Sequence, residues 1–164
     1  MPSVPRILSL NLGSQTVALA EFRTQTQGGL VLVGYCLREI LAEAGNELAR
    51  NMQIAAALRE MMAELEVKSG SVNYSVAAQS VFARFVKLPS VEEEKIERII
   101  AFEAQQNVPF PIEEVVWDYQ LVGQSSDPEL QVVLVAIKSD LLEGINGAVE
   151  GTGLRTVARA RWVT

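Results

Sequence analysis

The 164-residue sequence contains no histidine and only one cysteine, Cys36. Without histidine, the chain cannot build a Ser–His or Cys–His nucleophile, and it lacks the commonest protein ligand of zinc. A single cysteine cannot form an internal disulfide, which is typical of proteins from a reducing cytoplasm. Since a lone cysteine among apolar strand residues usually serves packing, we expect Cys36 to lie in the core. We therefore predict that the chain is not an enzyme, with no catalytic residue and no metal ligand.

Basic residues and long apolar runs are also scarce. Fourteen Lys and Arg oppose twenty Asp and Glu, so the formal net charge is −6 and no nucleic-acid partner is expected. The best apolar run, residues 132–137, is far shorter than the roughly 18 residues of a membrane span. The short run after Arg6 ends in polar residues, unlike a signal peptide. We therefore expect a cytoplasmic protein with no direct insertion into a membrane.

Apolar periodicity predicts a mixed α+β fold in one domain or two small ones. Alternation and glycine-bearing turns predict strands at 7–11, 16–23 and 30–39, followed by a helix at 52–66 and a strand at 72–77. After a boundary near residue 80, the pattern predicts strand 81–88, helix 91–106, strands 115–123 and 130–138, and helix 140–150. Antiparallel hairpins with interspersed helices are typical of the α+β class.

Residues 88–119, LPSVEEEKIERIIAFEAQQNVPFPIEEVVWDY, contain the most informative pattern. Ser90 occupies an N-cap position and Glu93 follows three residues later, as in a capping box. The helix must end before the Val-Pro-Phe-Pro sequence at 108–111, because Pro109 lacks a backbone donor and restricts the residue before it. The segment therefore predicts a helix, a proline-locked corner and a strand.

Two charged residues fall on faces that are otherwise apolar. Glu103 lies on the apolar stripe of this helix, and Arg84 lies on the apolar face of the preceding strand. In one interpretation, each long side chain simply reaches water at the edge of the core. In the other, Arg84 and Glu103 form a structural ion pair across the strand–helix interface, since burying either charge alone is costly. Two misplaced opposite charges in one unit favour the ion pair.

The arginine-bearing strand that ends in Leu-Pro, the helix that ends in Glu-Ala-Gln-Gln-Asn, the Val-Pro-Phe-Pro corner and the Asp-Tyr strand resemble the PilM family. Its members are actin-like cytoplasmic proteins of type IV pilus assembly, related to the cell-division protein FtsA. The resemblance covers about the first 154 residues and implies the N-terminal half of an actin-like fold. By that likeness, residues 1–80 open the actin-like subdomain, and 81–138 form an inserted strand–helix–strand–strand subdomain. Residues 139–164 then return toward the first subdomain, with a divergent or truncated end.

The first predicted hairpin contains a glycine-bearing loop. Such a turn can direct backbone N–H groups and hydroxyls toward a phosphate, although most of these loops are only turns. The resemblance implies a cofactor-binding loop here, because actin-like proteins hold nucleotide phosphates in their first hairpin. The corresponding residues are Asn11, Gly13, Ser14, Gln15 and Thr16.

Two departures from the family argue against nucleotide hydrolysis. Asn11 stands where an aspartate helps to hold hydrated Mg²⁺, and Ala18 stands where a lysine is usual. The second phosphate loop and the adenosine-binding segment belong to the other half of an actin-like protein. We therefore expect no cofactor for this chain and leave ATP and Mg²⁺ open for a longer parent.

The resemblance implies a scaffold or adaptor, peripheral to the inner membrane, that binds the N-terminal cytoplasmic peptide of a PilN-like inner-membrane protein. In the family this peptide lies in a groove between the actin-like body and the inserted subdomain. We expect Arg84, Val108 and Phe110 to be partner-binding residues, although Phe110 fits the subdomain core equally well. The alternatives are an actin-like ATP-binding protein or ATPase, and a GspL-like adaptor of type II secretion. Self-association through exposed strand edges is a further expectation.

Overall fold

The structure, a computed structural model, describes residues 6–41, 45–89, 93–122 and 129–157. These residues form eight strands and three helices in two compact units. The first unit comprises the described residues up to Ala77 and those from Glu143 onward, and the second unit spans Ala78–Leu142. In its described residues the second unit is thus continuous in sequence, and it interrupts the chain of the first. Within the described ranges, no helix combines the length and hydropathy that a bilayer crossing requires.

The predicted strands and helices are present, with shifted ends. The strands are β1 (Arg6–Leu12), β2 (Thr16–Thr24), β3 (Leu30–Glu39), β4 (Gly70–Val76), β5 (Phe82–Pro89), β6 (Val115–Val122), β7 (Glu129–Lys138) and β8 (Leu154–Thr156). The helices are α1 (Glu47–Glu64), α2 (Glu93–Asn107) and α3 (Ser139–Glu150), and short 3₁₀ turns occur at Ala78–Ser80 and Ile112–Glu114. β8 is an additional short strand after α3.

Five strands form the sheet of the first unit, in the order β3-β2-β1-β4-β8. β1, β2 and β3 are an antiparallel meander, whereas β4 pairs in parallel with β1 on one side and with β8 on the other. The turn between β2 and β3 contains Gly28 and Gly29 at φ 88° and 98°, a region that disfavours side chains. These glycines allow the tight return that brings β3 beside β2.

One face of this sheet is apolar because alternate residues of each strand point to the same side. Leu8, Leu10 and Leu12 of β1 are each only 1% exposed. α1 packs over β2 and β3 and contributes a buried stripe to the same core. The stripe consists of Ile54, Ala55, Ala57, Leu58, Met61 and Met62.

α1 begins earlier than its apolar periodicity predicts. Asn46 accepts a hydrogen bond from the backbone N–H of Ala49 at 3.0 Å and thereby caps the helix, which starts at Glu47 rather than at residue 52. The first turns carry Leu48 and Met52, which are 74% and 66% exposed and do not continue the buried stripe. The cap, and not the stripe, therefore sets the start of this helix.

The second unit is a three-stranded antiparallel sheet, in the order β5-β7-β6, with α2 packed on one face. The buried residues at this contact come from β5, α2 and β7. They are Leu88, Ile100, Ala104, Val132 and Leu134. Ile96 and Ile99 pack around them, which confirms the predicted apolar stripe of the helix. Ser90, the predicted N-cap, lies outside the described residues, and α2 begins at Glu93.

The chain reverses direction after α2, and apolar residues close this end of the second unit. Val108 is 7% exposed and forms a separate buried cluster with Val115 and Ala136. Phe82, at the start of β5, packs against this cluster. The corner at 108–111, the start of β5 and the end of β7 therefore lie at the same end of the second unit.

Candidate functional site

An exposed aromatic ring and a cation lie at the corner end of the second unit. Phe110 is 36% exposed, and Lys138 Nζ lies 4.9 Å from the centroid of its ring, within the range of a cation–π contact. Arg84 is exposed on β5, opposite Leu134 of β7. We call Phe110 and Lys138 the corner surface; Arg84 lies on the same face of the sheet, opposite a β7 residue four positions before Lys138. The corner surface combines a ring that a partner can cover with positive charge, in a chain whose net charge is −6.

Val108 does not belong to the corner surface, and its predicted role in partner binding is corrected to a role in the core. The reversal after α2 places its side chain against Val115 and Ala136. Its backbone N–H donates to the Ala104 carbonyl oxygen at 2.9 Å, which continues the hydrogen bonding of the helix. An apolar side chain with these contacts stabilises the unit by burial and offers no surface to a partner.

The predicted ion pair between Arg84 and Glu103 is not formed, although both residues are described. Glu103 Oε2 instead accepts a hydrogen bond from Asn107 Nδ2 at 2.9 Å, and the same Nδ2 donates to the Glu103 carbonyl oxygen at 2.8 Å. Because Asn107 lies four residues along the same helix, the carboxylate gains a partner without crossing to the strand. Arg84 remains exposed, as the other interpretation expected.

Sequence reasoning missed Phe85, which is 72% exposed. It follows Arg84 on β5 and therefore points to the opposite face of the sheet, away from α2. The signal was present in the sequence, since the period-2 alternation places Phe85 out of phase with Val86 and Leu88. An aromatic residue on the outward face of an edge strand is a candidate for partner contact.

The predicted phosphate loop connects β1 and β2. Its residues are Asn11 near the end of β1, the turn residues Gly13, Ser14 and Gln15, and Thr16 at the start of β2. A Cβ at Gly13 would lie 3.0 Å from both the carbonyl oxygen and Oγ1 of Thr16, so only glycine fits this turn without displacement. The loop is therefore a close turn, as its sequence predicts.

Protein donors hold the carbonyl oxygens of this loop. Arg50 of α1 donates from Nη1 to the Ser14 carbonyl oxygen at 2.7 Å and from Nη2 to the Gly13 carbonyl oxygen. The Gln15 carbonyl oxygen accepts from the backbone N–H of Ile40 at 2.7 Å. Arg50 thus fixes the loop from a position 36 residues away in sequence, which no local pattern could have indicated.

The donors around the loop do not match those that Mg²⁺ and a nucleotide require. Mg²⁺ in nucleotide sites is bound through carboxylates together with phosphate oxygens, and Asn11 offers only a neutral amide. Ala18, opposite Asn11 in the β1–β2 ladder, carries no cation for a phosphate. Within the described ranges, no three His, Cys, Asp or Glu side chains are grouped so that they could hold a metal ion.

Glu21 is the buried charged residue of the first unit's described part, at 4% exposure. Its Oε1 accepts from Arg6 Nε at 3.1 Å and from Arg23 Nε at 3.4 Å. The β1–β2 register places Arg6 directly opposite Arg23, so one carboxylate separates two like charges. This cluster stabilises the end of the β1–β2 hairpin.

Cys36 is 4% exposed on β3, which confirms its expected place in the core. Burial raises the pKa of its thiol, and the neighbouring Glu64 carboxylate raises it further. Arg38 holds that carboxylate at 2.6 Å and, by this hydrogen bond, lowers the pKa of Glu64. A thiol that stays protonated is a weak nucleophile, so the environment of Cys36 favours packing over chemistry.

Comparison with known proteins agrees with the family resemblance of the sequence. Residues 9–158 match the family described as type IV pilus assembly protein PilM. The chain belongs to this family. The resemblance predicted from the residues around the corner is therefore confirmed, and the PilM match extends over both units.

Solved structures give the same fold. The chain is similar to a chain of a PilM–PilN type IV pilus biogenesis complex, with a TM-score of 0.74 and 23% identity over 93% of this chain and 46% of that one. It is also similar to the cytoplasmic domain of EpsL, an inner-membrane component of the type II secretion system of Vibrio cholerae. That match has a TM-score of 0.56 and 13% identity, over 93% of this chain and 56% of the other.

These likenesses confirm the predicted fold class, a mixed α+β part of an actin-like, PilM-type fold. The chain spans about half the length of the solved structures that it matches. At identities of 23% and 13% the similarity is one of fold.

Proposed function

We propose that this chain is an adaptor of type IV pilus assembly that binds the N-terminal cytoplasmic peptide of a PilN-like inner-membrane protein. The observation that carries the proposal is the PilM family match over residues 9–158, and the fold shared with a PilM–PilN complex supports it. In this role the chain is cytoplasmic and peripheral to the inner membrane. The proposal gives it no catalytic step and no cofactor, and it identifies the second unit with the inserted subdomain of the family.

The corner surface is the candidate for peptide recognition. Phe110 is exposed enough to be covered, and Val108, two residues before it, anchors the corner in a buried cluster. Aromatic residues held on a rigid support dominate the affinity of many interfaces, because their burial costs little side-chain entropy. Lys138 and Arg84 supply positive charge for acidic groups or the carbonyl oxygens of an extended peptide.

A calorimetric titration with the N-terminal peptide of the PilN-like protein from the same genome tests this proposal. We expect saturable binding, and we expect Phe110→Ala to weaken it by at least about tenfold, as for a contact at the centre of an interface. Phe102→Ala is the matched control, since Phe102 is 58% exposed on the outward side of α2 in the same unit. It should leave the affinity within about twofold.

Far-UV circular dichroism must show that both variants fold before the titrations are compared. Absence of saturable binding by the folded chain contradicts the adaptor role for this part of the protein. Equal losses of affinity for Phe110→Ala and Phe102→Ala contradict the role of the corner surface but not the identity of the partner. The two results therefore separate an error about the partner from an error about the surface.

The second candidate is an adaptor of type II secretion, which the fold shared with the cytoplasmic domain of EpsL supports. Titration with the cytoplasmic peptide of the type II inner-membrane partner from the same genome distinguishes the two systems. Preference for that peptide over the PilN-like peptide by more than about tenfold would favour secretion.

The actin-like ATPase alternative has its own test. The donors of the β1–β2 loop do not fit Mg²⁺ and a nucleotide, because Asn11 and Ala18 are uncharged and Arg50 is directed at the loop carbonyl oxygens. We therefore expect the midpoint of thermal unfolding to be the same with and without MgATP. A concentration-dependent rise of that midpoint would contradict the absence of a cofactor, since a ligand of the folded state stabilises it by mass action.

A further inference from the structure

β3 is an edge strand with an unusual composition. Residues 30–37, LVLVGYCL, carry no charge, although edge strands of soluble proteins are commonly protected by charged side chains. β3 pairs with β2 on one side and forms the end of the five-stranded sheet on the other. Six of its apolar side chains are exposed, namely Leu30 57%, Val31 39%, Leu32 49%, Val33 51%, Tyr35 68% and Leu37 53%.

The β2–β3 register shows which of these side chains share a face. Four of them lie opposite alternate residues of β2 and therefore on the face away from the core. The pairs are Leu30 with Thr24, Leu32 with Phe22, Tyr35 with Ala20, and Leu37 with Ala18. A β-bulge at Val33 shifts the alternation, so that the outward set changes from even to odd numbers within the strand.

The outward face becomes polar with distance from β3. Beside β3 it carries the partly buried apolar side chains of Ala18, Ala20, Phe22 and Ile7, whereas Ser9 and Asn11 of β1 and Asn73 and Ser75 of β4 are all exposed on it. A layer that covered the whole face would place these polar groups in an apolar contact without assured partners. The exposed large apolar side chains of this face lie on β3, so an occupant along the strand edge covers them without covering the polar groups.

We propose that β3 pairs antiparallel with β3 of a second copy of this chain, about a twofold axis between Val33 and Gly34. Residue i then lies opposite residue 67 − i. On the outward face this register places Leu30 opposite Leu37 and Leu32 opposite Tyr35 of the second copy.

The bulge selects this register. In a regular strand, two positions whose numbers add up to an odd value point to opposite faces, and such a pairing would be impossible. The extra residue Val33 reverses the alternation at the axis, so all paired side chains share a face. A bulge ordinarily discourages edge pairing, but here both strands carry the same extra residue and the counts match.

Charge also fits a second copy. No pair within residues 30–37 brings two charges together, and the first charged residue, Arg38, is already bound to Glu60 and Glu64 of its own chain. The six exposed side chains offer roughly 500 Å² of apolar surface per copy, taking on the order of 150–200 Å² for a fully exposed large side chain. That is less than the roughly 800 Å² per partner of a standard interface, so the dimer is weak and reversible.

Sedimentation equilibrium of the chain over about 1 µM to 1 mM tests the proposal. We expect the mass to rise from monomer to dimer, and the association to strengthen with salt, because two copies of charge −6 repel each other. Tyr35→Lys places a cation in the pairing and should weaken dimerisation by at least about tenfold. Leu48→Lys is the matched control on α1, where an equally exposed leucine lies away from the edge, and it should have no effect.

A cross-link tests the register. Leu30→Cys and Leu37→Cys, each made in a Cys36→Ser background and then mixed, should form a disulfide-linked dimer with each other, since 30 and 37 are opposite in the proposed pairing and both side chains are exposed. Leu30→Cys alone in the same background should give no such dimer, because position 30 lies opposite 37 and not opposite itself. A chain that is monomeric at every concentration overturns the proposal, and so does equal weakening by the two lysine variants. Failure to cross-link in a protein that dimerises overturns the register. The test of the adaptor role is separate, because the peptide titrations use micromolar protein.

Discussion

The crossing of α3 over α1 offers the sharpest quantitative test of the packing. A Cβ added at Gly144 would lie 2.7 Å from Asn51 Nδ2 and 3.8 Å from its Cγ, closer than side chains normally approach. A Cβ added at Gly147, one turn later on the same helix, would meet nothing within 4 Å. The same substitution by alanine therefore measures close contact at one position and helix propensity alone at the other.

The expected magnitudes differ because only one of the two positions is obstructed. Alanine in place of glycine inside a helix stabilises it by about 0.5–1 kcal/mol, which is the effect predicted for Gly147→Ala. At Gly144 the same gain is opposed by displacement of the terminal amide of Asn51, and since this is the movable end of a side chain the cost lies at the low end of the roughly 1–3 kcal/mol of overpacking. We expect Gly144→Ala to leave the free energy of unfolding nearly unchanged, so that the two variants differ by about 1 kcal/mol.

Urea unfolding followed by far-UV circular dichroism measures both values by linear extrapolation. The cycle is completed with Asn51→Ala, which removes the obstructing amide together with its Oδ1, a buried atom without a hydrogen-bond partner. In that background Gly144→Ala should become stabilising, like Gly147→Ala. The reasoning is refuted if the two glycine variants have equal effects in the native background, or if Gly144→Ala does not become more stabilising once Asn51 is replaced.

Three further outcomes follow from the described contacts. Glu21→Gln should lower the free energy of unfolding by about 1–2 kcal/mol, which is less than for a fully buried ion pair because both arginines are partly exposed. Glu60→Gln should change the free energy of unfolding little. Equal urea midpoints of the two variants would contradict this prediction. Val108→Ala should lower the free energy of unfolding by about 1–3 kcal/mol, and Phe110→Ala should lower it by less than about 1 kcal/mol in the same assay. The reverse order would contradict the assignment of Val108 to the core. Burial raises the pKa of the Cys36 thiol in the folded state. The stability that the neutral thiol contributes is therefore complete below the unfolded-state pKa of about 8.5, and it is lost as pH rises through the folded-state pKa. Stability measured above about pH 8.5 should therefore fall less steeply in Cys36→Ala, and an unchanged slope would contradict the assignment.

Local patterns predicted most of the fold. The α2 stripe, the proline corner and the alternation of β5 all depend on residues within a few positions of one another, and the structure has each of them. The start of α1 was predicted too late because the pattern of buried residues begins after its first turn. The cap at Asn46 was the better signal there.

The site was predictable only where its geometry is local. The proline corner around Phe110 follows from nearby sequence, which left open whether the ring is exposed. The burial of Val108 depends on Ala136, a residue of β7 that is distant in sequence. The Arg84–Glu103 prediction failed because periodicity assigns a face without choosing a partner, and Asn107 was nearer to the carboxylate. The hydrogen bond from Arg50 to the Ser14 carbonyl oxygen joins residues that are 36 positions apart, so no local pattern could have predicted it.

The insertion of the second unit into the chain of the first has a consequence for biosynthesis. β8, which pairs with β4 along the edge of the five-stranded sheet, is made only after the whole of Ala78–Leu142 has been translated. On the ribosome the second unit can complete its local pairings while the first still lacks Leu154–Thr156. Until then one edge of β4 is unpaired. The interval in which nascent chains are most exposed to mispairing therefore ends with the emergence of β8, and a silent change that slows translation between α3 and β8 would lengthen it.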